Sequence, residues 1–316
     1  MIKFNWLILV FLMFAALLLA QESNRIEKRF PAKKTVKLKI TSGDCFIKAG
    51  TDDEILVEIV FDVSPVDAFE PEFYESGSSL KLSERWHRSS SGRVVWTLTV
   101  PAKTEIDFSS ASGELTVSDL KNNIEANTAS GDIKIADCQG EIELSVASGD
   151  VDIESCSGEF DVSTASGDVE AKNLTGDFKF STASGEIKMW DADGAFDLSC
   201  ASGEIEVKNI TIKEESSFST ASGDVEVKLK TTPQFDLELS AASGDVVLDY
   251  NGNAVAGYFE LTARKHRGKI VAPFAFDKEE EFEEHGEIYM RKSFSKEGSS
   301  PKIFLSSASG KAELKK

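Results

Sequence analysis

Seven carboxylates occupy one position of a recurring motif. Asp132, Asp150, Asp168, Glu186, Glu204, Asp224 and Asp245 each follow the glycine of an Ala-Ser-Gly tripeptide. Carboxylate oxygens are the ligands that hard divalent cations prefer, so the first candidate chemistry is cation binding along an acidic edge. Nonapeptide calcium rolls share this spacing, but their Gly-Gly-x-Gly-x-Asp turn is absent, because each half-repeat carries one glycine. The plainer reading is a solvated edge whose carboxylates accept turn hydrogen bonds and oppose edge-to-edge aggregation. On that reading no catalytic residue, resident metal or cofactor is expected. Glu141, Glu159 and Asp177 form a shorter column at the intervening turns.

Other chemistry-bearing residues repeat as well. Ser112, Ser130, Ser148, Ser166, Ser184, Ser202, Ser222 and Ser243 precede the glycines. Ser145, Ser163, Ser181, Ser199, Ser219 and Ser240 lie three residues earlier and are expected to face outward. A hydroxyl ladder suits a glycan or an ordered water lattice, while short hydroxyls also close tight turns. A nucleophilic serine needs a positioned base, and His87, His266 and His285 all fall outside the regular repeats. Cys138 and Cys156 stand one full repeat apart, in a column shared with Leu120 and Leu174. That exchange with leucine points to buried thiols, and an exported chain also permits a Cys138–Cys156 disulfide. With Cys45 and Cys200 the chain has four cysteines, none with zinc-ligand spacing. The outward residues Lys134, Asp152, Glu170, Lys188 and Glu206, with the basic run Arg264 to Lys269, are what an enzyme groove would have to use.

These residues are positioned by the repeat itself. Gly113, Gly131, Gly149, Gly167, Gly185 and Gly203 are spaced by 18, and Gly223 and Gly244 follow at 20 and 21. Gly140, Gly158, Gly176 and Gly194 lie midway, so the unit is nine residues in two alternating versions. Each version is a turn followed by alternating polar and apolar residues, which is strand periodicity; on a helix the same spacing would scatter the apolar residues. The fold class is therefore all-β, a parallel β-solenoid with two-sided, 18-residue coils and an N-terminal β cap. A triangular prism also fits a coil of this length, but it needs a period of six. Ile133, Ile135, Ile142, Leu144 and Val146 are expected to point inward from one coil. Val151, Ile153, Phe160, Val162 and Thr164 are expected to do so from the next.

The domain expectation is a signal peptide over 1–20, the cap over 26–108, the regular solenoid over 109–250, and irregular terminal coils with a C-terminal strand over 251–316. Lys3 followed by the apolar run Trp6 to Ala20 reads as an export signal, shorter than the roughly 20 residues of a membrane span. A retained N-terminal anchor is the alternative. In the cap, Trp86 and Trp96 are the expected core anchors. Insertions near Lys213–Glu215 and Thr231–Pro233 fall at half-unit boundaries and should leave stacking intact. The formal net charge of −19 argues against nucleic acid and against anionic membrane surfaces as partners.

The Ser-Ala-Ser-Gly-Asp-Ile repeats, preceded by a strand ending in Val100-Pro101, closely resemble the bacterial "putative adhesin" family of β-strand-repeat proteins, a domain of unknown function. The resemblance covers about Val94 to Leu248. It implies a parallel β-solenoid in the cell envelope and carries no catalytic residues. The expected function is an exported, non-enzymatic scaffold or adhesin-like surface in the periplasm or at the cell surface. Its partner would be an unknown protein or glycan ligand, with no membrane insertion after signal cleavage. The alternatives are a carbohydrate-active β-helix enzyme and a self-assembling structural element of the envelope.

Overall fold

The computed structural model describes residues 24–316. The expected signal segment, residues 1–20, lies outside the described residues. Among them every regular element is a strand, apart from a 3-10 turn at Val66–Ala68. The chain is all-β, and its strands form one open sheet.

Pairing follows the glycine period. On one side Ile124 lies beside Ile142, Ile142 beside Phe160, Phe160 beside Phe178 and Phe178 beside Phe196, all in parallel. On the other side Ile133 lies beside Val151, Val151 beside Val169, Val169 beside Ile187 and Ile187 beside Ile205. We call these the long and short ladders, after the lengths of their strands. The two insertions are taken up as loops. Phe218 pairs with Leu198 and Leu239, and Val225 with Ile205 and Val246, so the ladders continue past both.

Alternation decides the core. Ile133, Ile135, Ile142, Leu144, Val146, Val151, Ile153, Phe160, Val162 and Thr164 are all buried, and the apolar ones join a single core running the length of the stack. Phe160, Phe178 and Phe196 stack along it with ring centroids 5.2 and 5.1 Å apart. Ser216 takes the next place in that column after the Lys213–Glu215 insertion. It accepts the Phe196 amide at 3.1 Å and donates to the Glu214 carbonyl at 3.0 Å, which satisfies its buried hydroxyl.

The turns allow close approach only because they hold glycine. A Cβ on Gly158, at φ +138°, would lie 1.9 Å from the Gly140 carbonyl oxygen, and one on Gly113 would lie 1.9 Å from that of Gly43. Gly43 and Gly310 therefore belong to the main column, Gly310 stacking on Gly244. Both glycines stand in copies of the motif visible in the sequence, Thr41-Ser42-Gly43-Asp44 and Ala308-Ser309-Gly310, and strands Thr35–Ser42 and Asp44–Ala49 lie directly beside Glu105–Ser112 and Leu115–Ser118. The intervening turns use another device. Asp119, Asp137, Ser155, Asn173, Asp191 and Asn209 recur once per repeat with φ between 55° and 62°. Short polar side chains tolerate this left-handed conformation best after glycine.

At each end the chain leaves the stack and returns. Strands Ser79–Trp86 and Ser91–Val100 cover the layer 35–49 from outside. Antiparallel strands Phe69–Ser76, Glu54–Ser64 and Asn24–Pro31 extend this end. Trp96 is fully buried and Trp86 partly so, and both indoles donate to Glu84, at 2.9 and 3.1 Å. At the other end strand Lys302–Ser307 slots between Leu237–Ser243 and Gly257–Arg264, and Lys311–Lys315 between Val246–Asp249 and Lys269–Val271.

Candidate functional site

The acidic column is built from the turn upward. The Oδ1 of Asp132 accepts the amide of Asp150 at 3.0 Å, Asp150 that of Asp168 at 3.0 Å, and Asp168 that of Glu186 at 2.8 Å. Asp224 and Asp245 do the same for Asp245 and Lys311, at 2.7 and 2.8 Å. Each aspartate thus pins the turn of the next layer. Glu186, one methylene longer, turns instead to the Lys188 ammonium. Burial, reinforced by Asp224 and then Glu206, raises the Glu204 carboxyl above the ordinary range. One carboxylate per layer, with one oxygen engaged, does not converge on the six to eight oxygens of a calcium ion. No group of three metal-ligating side chains is found among the described residues.

The short ladder's outer face is a charged lattice. Lys134 pairs with Glu114 at 2.9 Å, and Lys172, Lys188 and Lys208 pair with Glu170, Glu186 and Glu206. Such exposed pairs contribute about 0–1 kcal/mol each. Asp152 sits among them with its carboxyl raised by burial and by the nearby Glu170.

The long ladder's outer face carries one charged column, Glu125, Glu143, Asp161, Lys179 and Asp197, beside columns of small residues. Ser145, Ser163, Ser181 and Ser199 stand in register, as do Ser112, Ser130 and Ser148. The Ser145 and Ser163 hydroxyls are 3.1 Å apart. A shallow groove runs along this small-residue face, lined by Ser109, Asn127, Ser145, Ser163 and the alanines 129, 147, 165 and 183.

The structure adds an inner hydroxyl column, of which the sequence reading has only Thr164, as an inward residue. Thr128, Thr164, Thr182 and Thr220 are buried at the last inward position before Ala-Ser-Gly. Thr182 donates to the Gly167 carbonyl at 3.4 Å, Thr220 to Gly203 at 3.1 Å and Ser307 to Gly244 at 2.7 Å. The signal was present: threonine and serine recur in a column whose other members, such as Val146 and Ala241, are apolar.

The remaining candidates are scattered or already engaged. All four thiols are free and buried. Burial pushes Cys45 well up and Cys200 up to about 12. Cys138 is raised by its hydrogen bond with the Cys156 thiol and by burial, and its amide donates to that sulfur at 3.3 Å. His87 pairs with Glu70 at 2.8 Å in the N-terminal strands. His266 lies in the loop after Gly257–Arg264, and His285 in the hairpin turn between Lys278–Glu284 and Glu287–Lys296. The basic run meets the acidic stretch 277–287 of the terminal hairpin: Arg264 pairs with Glu287 at 3.5 Å and Lys265 with Glu281 at 2.6 Å.

Comparison with known proteins places this architecture. The model of the Toastrack DUF4097 family, a domain of unknown function, matches residues 87–196 and again 177–263, together more than half of the chain. No curated protein matches the chain. Similar solved structures include a "putative lipid binding protein" from Parabacteroides distasonis, 12% identical, covering 94% of this chain and 97% of that one, with a TM-score of 0.43. A "putative adhesin" from Bacteroides fragilis is 17% identical over 73% of this chain and 97% of that one, with a TM-score of 0.39. Another from Parabacteroides distasonis is 13% identical over 73% and 96%, with a TM-score of 0.36. By the extent of the family match, the chain belongs to the Toastrack DUF4097 family.

Proposed function

We propose that the chain is a non-enzymatic display scaffold of the cell envelope, exported by its segment 1–20 and acting in the periplasm or at the cell surface. In this reading it is a parallel β-solenoid of two-sided, 18-residue coils. An N-terminal β cap covers 26–108 and contains the stacked layer 35–49, the regular coils span 109–250, and irregular terminal coils close 251–316. Its ligand is a protein or glycan of the envelope that meets the same surface chemistry in each coil.

The observation that carries the reading is the register of the long ladder's outer face. Ser145, Ser163, Ser181 and Ser199 recur there one strand apart, a spacing of about 4.8 Å. Identical weak contacts at fixed spacing add up on a repetitive ligand. The acidic column serves the scaffold, because Asp132, Asp150 and Asp168 each commit an oxygen to the next layer's amide. The enzyme alternative loses support where Arg264 and Lys265 are held by Glu287 and Glu281. End-to-end assembly is opposed at the terminal strands of the long ladder, by Pro71 in one and, in the other, by Glu283 and Glu284, which make no ion pair among the described residues.

The test is a binding screen of the full-length protein against glycans and envelope fractions, with and without calcium. The reading expects saturable retention that is independent of calcium and is lost when Ser145, Ser163 and Ser181 are changed together to Asp. Cleavage of a polysaccharide, or retention that requires calcium, would contradict it.

A further inference from the structure

The C-terminal strand Lys302–Ser307 breaks the pattern of the long ladder's outer face. In the column Glu125, Glu143, Asp161, Lys179, Asp197, Ser217 and Glu238, the next two places are Phe304 and Glu260. An aromatic ring therefore lies between two carboxylates, Glu238 on one neighbouring strand and Glu260 on the other. The next row along the strands holds three hydroxyls, Ser240, Ser306 and Thr262. Glu238, Glu260, Thr262, Phe304 and Ser306 line a shallow niche of about 280 Å³.

The two glutamates differ in their engagement. Glu260 accepts the Tyr258 hydroxyl at 2.9 Å and meets the Arg291 guanidinium at 3.0 Å, so its carboxylate is fixed in place. Glu238 makes no ion pair among the described residues. Arg291 already answers the Glu260 charge, but the face of a phenyl ring carries negative potential, so the unpaired Glu238 carboxylate beside it is unfavourable until a cation lies over the ring. The surrounding oxygens, two carboxylates and three hydroxyls, all accept hydrogen bonds. A cation with N–H donors satisfies both demands.

We propose that this niche binds an organic cation bearing N–H donors, a primary alkylammonium or a guanidinium, over the Phe304 ring with its donors on Glu238. The niche lies at the C-terminal end of the same face, where Ser240 and Ser306 continue the serine column; its variants leave Ser145 to Ser199 intact, so its failure would leave the display reading untouched.

Agmatine, which carries both kinds of cation, is the probe. Its binding to the full-length protein is followed by proton NMR saturation transfer at about 0.3 M salt, where loose attraction to the acidic surface is screened. Saturable binding is expected. Phe304→Ala and Glu238→Gln should each weaken it about three- to thirtyfold, the range for a cation over an aromatic ring. Trp190→Ala, which removes an outward aromatic on the short ladder, should leave it unchanged. Circular dichroism checks that each variant remains folded. Tetramethylammonium, which has no donor, should bind more weakly than agmatine. Absence of saturable agmatine binding, equal binding of the two cations, or binding unchanged by both niche variants would overturn the proposal.

Discussion

In the middle of the stack, a strand's neighbours are the segments one repeat before and one repeat after it, as Phe160 lies between Ile142 and Phe178. At both ends the neighbours on both sides come from far along the chain. Val36 lies between Ile106 and Leu80, and Ile303 between Leu237 and Phe259. The middle is held by identity between layers, with glycine on glycine and, where the column holds aspartate, a carboxylate on the next amide. The ends are held by threading: a segment of the chain is clamped between a regular layer and an outer layer made by an excursion. Antiparallel strands then close the ends with charge and proline, Pro71 in one edge strand and five glutamates in another. An open stack would otherwise present unpaired strand edges for aggregation. The middle should therefore tolerate changes in the number of repeats and no change in their stacking residues, and the ends the reverse.

The sharpest contrast is steric. Gly176→Ala puts a Cβ 1.8 Å from the Gly158 carbonyl oxygen at φ +141°, whereas at Gly298, φ +130°, nothing lies within 4 Å. We expect a loss of about 3–5 kcal/mol or failure to fold for the first. For Gly298→Ala the loss is about 1–2 kcal/mol, from the backbone conformation alone. Urea denaturation of both variants decides; equal losses would mean that close stacking is not what fixes the glycines.

Next comes the core. Phe178→Ala removes the middle ring of the Phe160–Phe178–Phe196 stack and should cost about 3–5 kcal/mol. Phe282→Ala in the terminal hairpin, where the ring is only half-buried against Tyr289, should cost about 1 kcal/mol or less. If the hairpin variant proves the more damaging, the ends and not the middle carry the stability.

What the sequence made legible follows from this difference. Repetition exposed the middle: the glycine spacing gave the pairing offset, and alternation gave the inward residues from Ile133 to Val162. The ends were not legible because their pairing is not sequential. Nothing local in Ile303 or Val36 announces that each joins a strand several repeats distant along the chain. The basic run from Arg264 reads as an isolated feature of the sequence, yet Arg264 and Lys265 pair with Glu287 and Glu281 of the terminal hairpin. The inner threonines were visible as letters, but the hydrogen bonds of Thr182 and Thr220 to turn carbonyls became evident only with the layers in place.

The smallest expected effect concerns charge on the short ladder. Folding raises the Asp152 carboxyl above its ordinary range, through burial first and Glu170 second. A group with a raised folded pKa favours folding while protonated and loses that contribution as pH rises through the folded value. Asp152→Asn should therefore be more stable than the parent at neutral pH, with the difference fading below the ordinary aspartate range, near pH 4. Melting temperatures across pH 3–7 test this, and a variant less stable than the parent at pH 7 would show that the Lys134 side of the lattice outweighs burial.

The claim beneath all of these is that the layer, and not the half-layer, is the unit of stacking. Deleting residues 149–166 joins Ser148 to Gly167 and restores every column. Deleting residues 149–157 joins Ser148 to Gly158 and sets a long-ladder strand against a short-ladder one. Far-UV circular dichroism and melting of the two deletion proteins measure the claim directly. It predicts a folded, cooperatively melting protein after the 18-residue deletion and an unfolded or aggregated one after the nine-residue deletion. Equal damage from both, or survival of the shorter deletion alone, would contradict it.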